Sequence, residues 1–308
     1  MISENKLSTL TGRTFSCLLF DLGNTLWQRD IPRLTELEQA TIQQAAQIAR
    51  RFSASTPLAQ YDDVNLGTEL REEMLQQFHL AIAQRPGFEP TGAAMVEQAF
   101  LALSFSQGDN KVFEDIFEAL RVPIFQSREL FPDVIATLKE LQRRSFQLGV
   151  VTNRYWGGEP FQKDLQIMGM TNYFEPHQTI VSADEHIRKP NPQIFALALT
   201  ACQADPRETI MIGDSLIADV AGAQQLAIFS VWKPSRYQEV SQYLADTEGM
   251  TVNEYNHRQL ALLKEHATIE PPTIPTEHWK DPYLQHFASG LIRPQLIINN
   301  VSELLAWL

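Results

Sequence analysis

The chain has only two cysteines in 308 residues, Cys17 and Cys202. That is too few for a disulfide framework or a zinc site, and a reducing, cytoplasmic setting is expected. Long apolar runs are also missing. None reaches the ~18 residues of a membrane span, and Met1 to Arg13 lacks the continuous apolar stretch of a secretory signal, so no membrane association is expected. Positive charge is scarce, with 25 Lys and Arg against 37 Asp and Glu and a formal net charge of −12. This disfavours nucleic acid and anionic membranes as partners, and an anionic substrate would need locally placed cations. The seven His residues show no ligand spacing, and no glycine-rich nucleotide loop occurs. Nothing in the sequence sets the oligomeric state. With 44% hydrophobic and 20% charged residues, the chain is long enough for two unequal domains.

Phe15 to Phe20 is apolar at nearly every position, as in a parallel strand buried on both faces at the centre of a sheet. From about Asp30 to Ser127 the spacing becomes helical, through Leu34, Leu37, Ile42, Leu70, Met74, Phe78, Met95, Phe100 and Leu103. Turn signals at Ser55-Thr56-Pro57, Arg85-Pro86-Gly87 and Gln107-Gly108-Asp109-Asn110 divide this insert into four or five helices. Alternation then resumes. Asp133 is the expected N-cap of a helix burying Val134, Leu138 and Leu141. Strands are expected near Phe146–Val151, Thr179–Ser182, Thr209–Ile212 and Phe229–Trp232. Helices are expected near Phe161–Met168, Pro192–Cys202 and Ile217–Leu226. Right-handed crossovers give a doubly wound parallel sheet. The expected organisation is an α/β, Rossmann-like core over residues 10–29 and 129–308 with a helical cap over 30–128. Residues 234–294 read as a long irregular excursion before a short strand at Leu296–Ile298 and a capped helix at Ser302–Leu308.

Four motifs fall at strand ends in this scheme: Asp21-Leu22-Gly23-Asn24-Thr25 after the first strand, Thr152-Asn153 after the second, Arg188-Lys189-Pro190 before a helix, and Gly213-Asp214-Ser215 with Asp219 beyond. A reactive carboxylate at a strand's C-terminal end is what phosphoryl transfer on an open α/β sheet requires. In this order the motifs resemble those of the haloacid dehalogenase (HAD) superfamily, most of whose members are Mg²⁺-dependent phosphatases. The resemblance covers residues from about 15 to 28 and from about 129 to 232.

The resemblance implies a role for each motif. Asp21 would be the nucleophile that forms an aspartyl-phosphate. Thr152 and the Asn153 backbone N–H would bind phosphate oxygens, and Lys189 would neutralise nucleophile and phosphoryl group. Asp21, the Gly23 carbonyl and Asp214 would hold Mg²⁺, with Asp219 orienting the lysine or a metal-bound water. Arg29, Asp30 and the Trp156-Gly157-Gly158 turn are weaker candidates for substrate contact; solvated charge and an ordinary turn are the default readings.

Gly23 departs from the pattern, because the family usually carries a second Asp there as general acid and base, a role worth ~10²–10⁴-fold. A glycine at this turn also suits a backbone at φ > 0, which Asp adopts at a cost of ~1 kcal/mol. The expected function is a Mg²⁺-dependent phosphohydrolase acting on a small phosphorylated substrate, favouring acyl or sugar 1-phosphates with good leaving groups. The alternative is a catalytically silent HAD-like protein that binds a phosphorylated ligand or a protein partner. The family's phosphonate-cleaving branch needs a cap lysine, and the insert offers only the late Lys111. Its dehalogenase branch keeps an aromatic at the Gly23 position.

Overall fold

The computed structural model describes residues 6–266, 268–274 and 283–308. Eight strands occur among them: β1 (Cys17–Phe20), β2 (Trp27–Arg29), β3 (Arg128–Leu130), β4 (Gln147–Thr152), β5 (Thr179–Val181), β6 (Thr209–Gly213), β7 (Phe229–Trp232) and β8 (Leu296–Ile297). Six form one parallel sheet in the order β5-β4-β1-β6-β7-β8, and β2 pairs with β3 in a separate antiparallel ribbon. The expected doubly wound sheet is present. β1 lies between β4 and β6, with Cys17 facing Gln147 on one side and Thr209 on the other.

Side-chain alternation explains why β1 is apolar throughout. Leu18 and Phe20 enter one cluster with Val150, Ile210 and Ile212, whereas Cys17 and Leu19 enter another with Val151, Met211 and Phe195. Both faces are covered by helices, so each Leu, Ile, Val, Phe or Met among these side chains contributes about 1.5–3 kcal/mol relative to exposure. Cys17 and Cys202 are buried free thiols.

Between β2 and β3 the chain forms the helices Ile31–Ala49, Asp63–Gln84, Gly92–Ala102 and Asn110–Ala119, with shorter turns. Asp30, Asp62 and Asp109 accept hydrogen bonds from the first-turn N–H groups of Arg33, Asn65 and Val112 and thereby cap three of them. Asp30 is thus a helix cap. These helices bury their own cluster, including Ile42, Leu70, Met74, Phe78, Phe100 and Ile116, and make a separate helical lobe.

Several local expectations need correction. The stretch 234–294 is largely helical rather than irregular. It contains helices at Tyr237–Tyr243 and Val252–His266, and the latter buries Val252, Tyr255, Leu260 and Leu263 along one side; residues 267 and 275–282 lie outside the described residues. Asn256 interrupted that pattern in the sequence, yet it is buried because it bonds both the Ile297 N–H and C=O. Asp133 stands at the expected N-cap position, but its side chain makes no capping hydrogen bond; the carboxylate accepts from the Ser302 N–H instead. The helix after β6 begins as a π-helix, Leu216–Ala221, and the closing helix is a 3-10 helix, Val301–Ala306, with an Asn300/Glu303 capping box. Gly23 is not in the left-handed region. Asn24 is, at φ 55°.

Candidate active site

The C-terminal ends of β1, β4 and β6 open on a cleft of about 300 Å³ whose lining includes Asp21, Gly23, Thr152, Lys189, Asp214 and Asp219. Every residue expected at the site is therefore brought to one place; Asn153 also lines it. Lys189 is the centre. Its ammonium donates to Asp21 Oδ1 at 2.6 Å, to Asp219 Oδ1 at 2.6 Å and to the Val151 carbonyl at 2.7 Å. Burial opposes its charge, but the two carboxylates raise its pKa above the ordinary lysine value, so the lysine stays protonated. Nothing among the described residues hydrogen-bonds Asp21 Oδ2.

Sequence reasoning gave Asn153 only a backbone role. Its side chain accepts from the Lys189 N–H at 2.9 Å and donates to the Lys189 carbonyl at 3.0 Å. That two-way bridge fixes the lysine backbone to the end of β4. Asp219 is held just as firmly, its Oδ2 accepting from the Ser215 N–H at 2.9 Å. Gly213 makes this possible. A Cβ there would lie 2.2 Å from the Asp219 carboxyl carbon, so only glycine lets the two elements approach so closely.

Asp214 is half-buried, and its Oδ2 accepts from Asn24 Nδ2 at 3.0 Å. Burial first, and then the nearby Asp21 and Asp219, push its pKa up to about 7. Asn24 and Lys233 escaped sequence reasoning, since neither belongs to a spaced pattern. The buried Lys233 donates to the Asn24 carbonyl at 2.9 Å and stands 3.9 Å over the Phe131 ring, pinning the turn that follows the nucleophile position.

One oxygen each of Asp21, Asp214 and Asp219 lies within 4.8 Å of the others. This hard, all-oxygen donor set with a strained carboxylate pKa fits a divalent cation such as Mg²⁺. The geometry brings Asp219 nearer to the ligand set than expected, although both its oxygens are already engaged by Lys189 and Ser215.

The cleft continues into a larger cavity of about 740 Å³ against the helical lobe, and Arg29, Arg128, Asn153 and Arg154 line both. Trp156 is no plain turn residue. It stacks on Phe117 of the lobe at 4.7 Å, donates to the Phe117 carbonyl, and lines the larger cavity.

A second contact joins lobe and core. Glu89 is completely buried, bonding Arg188 at 3.0 Å and accepting from Ser182 Oγ at 2.7 Å. The adjoining backbone pairs as well, with Glu89 N–H donating to His186 and Arg188 N–H to Gly87.

Comparison with known proteins agrees with this architecture. The chain is 32% identical over 112 residues to a glyceraldehyde 3-phosphate phosphatase of Pyrococcus furiosus (35% of this chain, 44% of that protein). It is 33% identical over 104 residues to a phosphoserine phosphatase of Thermus thermophilus (33% and 40%). It spans less than half the length of these curated relatives. A ribulose-1,5-bisphosphate 5-phosphatase of Halopiger xanaduensis matches at 24% over 234 residues, 74% of this chain and 88% of that protein. Among solved structures, a 2-haloacid dehalogenase of Pseudomonas syringae superposes with a TM-score of 0.51 at 21% identity, covering 95% of this chain and 97% of that one, a likeness of fold. No helix among the described residues is long and apolar enough to cross a membrane. A family model for haloacid dehalogenase-like hydrolases matches residues 15–226, from just before β1 through the helical segment after β6, and the chain thus belongs to that hydrolase family.

Proposed function

We propose that this protein is a Mg²⁺-dependent phosphohydrolase that cleaves a small phosphorylated metabolite through an aspartyl-phosphate on Asp21. The observation carrying this reading is the Lys189 ammonium bridging Asp21 and Asp219 beside Asp214 at the floor of the cleft. The relatives named as glyceraldehyde 3-phosphate, phosphoserine and ribulose bisphosphate phosphatases support the substrate class.

The Asp21 carboxylate attacks phosphorus as the bond to the leaving oxygen breaks; water then cleaves the acyl phosphate, restoring the carboxylate and releasing phosphate. Lys189 disperses negative charge on the nucleophile and the phosphoryl group, and Asp219 positions Lys189. Thr152 Oγ1 and the Asn153 N–H bind phosphoryl oxygens. Asp21, the Gly23 carbonyl and Asp214 would hold Mg²⁺, which when bound supplies positive charge to the phosphoryl oxygens. The helical lobe acts as a cap that excludes water.

No side chain at Gly23 protonates the leaving oxygen, so acyl phosphates and sugar 1-phosphates are the favoured substrates. The same gap motivates the second reading, a silent protein that binds a phosphorylated ligand. Phosphate release from acyl, sugar and alkyl phosphates, measured with Mg²⁺ and with chelator, separates them. Release that depends on Mg²⁺ and exceeds an Asp21→Asn control is expected. Its absence across the panel would leave the binding reading.

A further inference from the structure

Arg29 and Arg128 stand directly opposite each other in the β2/β3 ribbon. Like charges in that arrangement destabilise a strand pair, and neither arginine has a carboxylate partner among the described residues. Glu38, which acts on Arg128 from a distance, is itself held by Arg71 at 2.7 Å. Arg154 adds a third cation. Its guanidinium lies 4.8 Å over the Phe161 ring, and its Nε is buried without a hydrogen-bond partner. Burial and the nearby Arg128 together lower the Arg154 pKa to about 10, so its charge is held against both desolvation and repulsion. All three line the passage where the cleft meets the larger cavity. Even in a chain of net charge −12, three arginines thus gather at this passage with no carboxylate bonded to any of them among the described residues.

We propose that Arg29, Arg128 and Arg154 form a subsite for a second anionic group on the ligand, a carboxylate or a second phosphate, with the reacting phosphate at Lys189; this rests on reading the cleft as a phosphate site. The guanidinium forks match planar or tetrahedral oxyanions, and an anion between them removes the repulsion across the ribbon.

The test is calorimetric titration of the full-length protein in chelator, where no turnover occurs. The matched ligands are glycerol 3-phosphate against 3-phosphoglycerate, and fructose 6-phosphate against fructose 1,6-bisphosphate. One doubly anionic member is expected to bind about tenfold or more tightly than its partner; which pair shows the gap identifies carboxylate or phosphate. Arg29→Gln and Arg128→Gln should each shrink that gap while raising the ligand-free melting temperature, because the cross-strand repulsion is gone. Equal binding within both pairs overturns the subsite, as does a gap that survives in both variants. Because binding is read without catalysis, a failed phosphate-release screen would leave this result standing, and the two ideas fail separately.

Discussion

Glu89, in the loop leaving the second long helix of the lobe, is fully buried against Arg188, the residue that immediately precedes the site lysine. Removing the carboxylate strands a largely buried guanidinium and the Ser182 hydroxyl together. Glu89→Ala should therefore cost about 2 kcal/mol or more, seen as a lower urea midpoint, and Glu89→Gln should cost less because it keeps one acceptor. Unchanged midpoints in both would mean the pair contributes nothing to joining lobe and core.

Asp21→Asn is expected to abolish phosphate release while leaving the fold intact, since the amide has nearly the same shape and Lys189 keeps Asp219 and the Val151 carbonyl as partners. The measurement is turnover alongside a circular dichroism melt. Residual activity at the wild-type level would rule out the aspartyl-phosphate route.

Gly23→Asp should be tolerated. A Cβ at Gly23 meets nothing within 4 Å, and its backbone lies outside the left-handed range. With nucleophile and lysine already assembled, hydrolysis of an unactivated alkyl phosphate should rise by something approaching ~10²-fold, and an acyl phosphate should gain less. A folded variant with no gain on any ester would favour the silent reading.

The raised pKa of Asp214 sets a pH dependence. A carboxyl held at about 7 in the fold, against 3.8 in its ordinary state, stabilises the metal-free protein most below its unfolded pKa. That contribution is lost as pH rises through about 7. Mg²⁺ needs the ionised form, so the rise in melting temperature on adding Mg²⁺ should be small near pH 5.5 and larger near pH 8. A metal-induced shift that is flat across this range would remove Asp214 from the ligand set.

The sheet was legible because strands buried on both faces leave continuous apolar runs, as at Thr209–Ile212 and Phe229–Trp232. Asp21, Lys189 and Asp214 were legible because each follows a strand or opens a helix within a short spaced motif. Other features depend on pairings that spacing does not reveal. Arg29 meets Arg128 only because the lobe returns the chain to where it left, and Glu89 sits in an unremarkable Gly-Phe-Glu-Pro turn until Arg188 closes over it. The Val252–His266 helix was hidden by the surrounding Pro, His and charge, and by a buried Asn256 whose bonds to Ile297 make its polarity compatible with the interior.

The position of β1 has a consequence for how the chain reaches its native state. Cys17 to Phe20 have no neighbouring strand until β4 and β6 arrive, so the sheet cannot close before two long loops have closed. The lobe helices contact mainly one another and draw on short-range encounters, which form quickly. On refolding, helical signal should recover ahead of the binding cleft, because Asp21 follows a strand whose two partners both lie far along the chain.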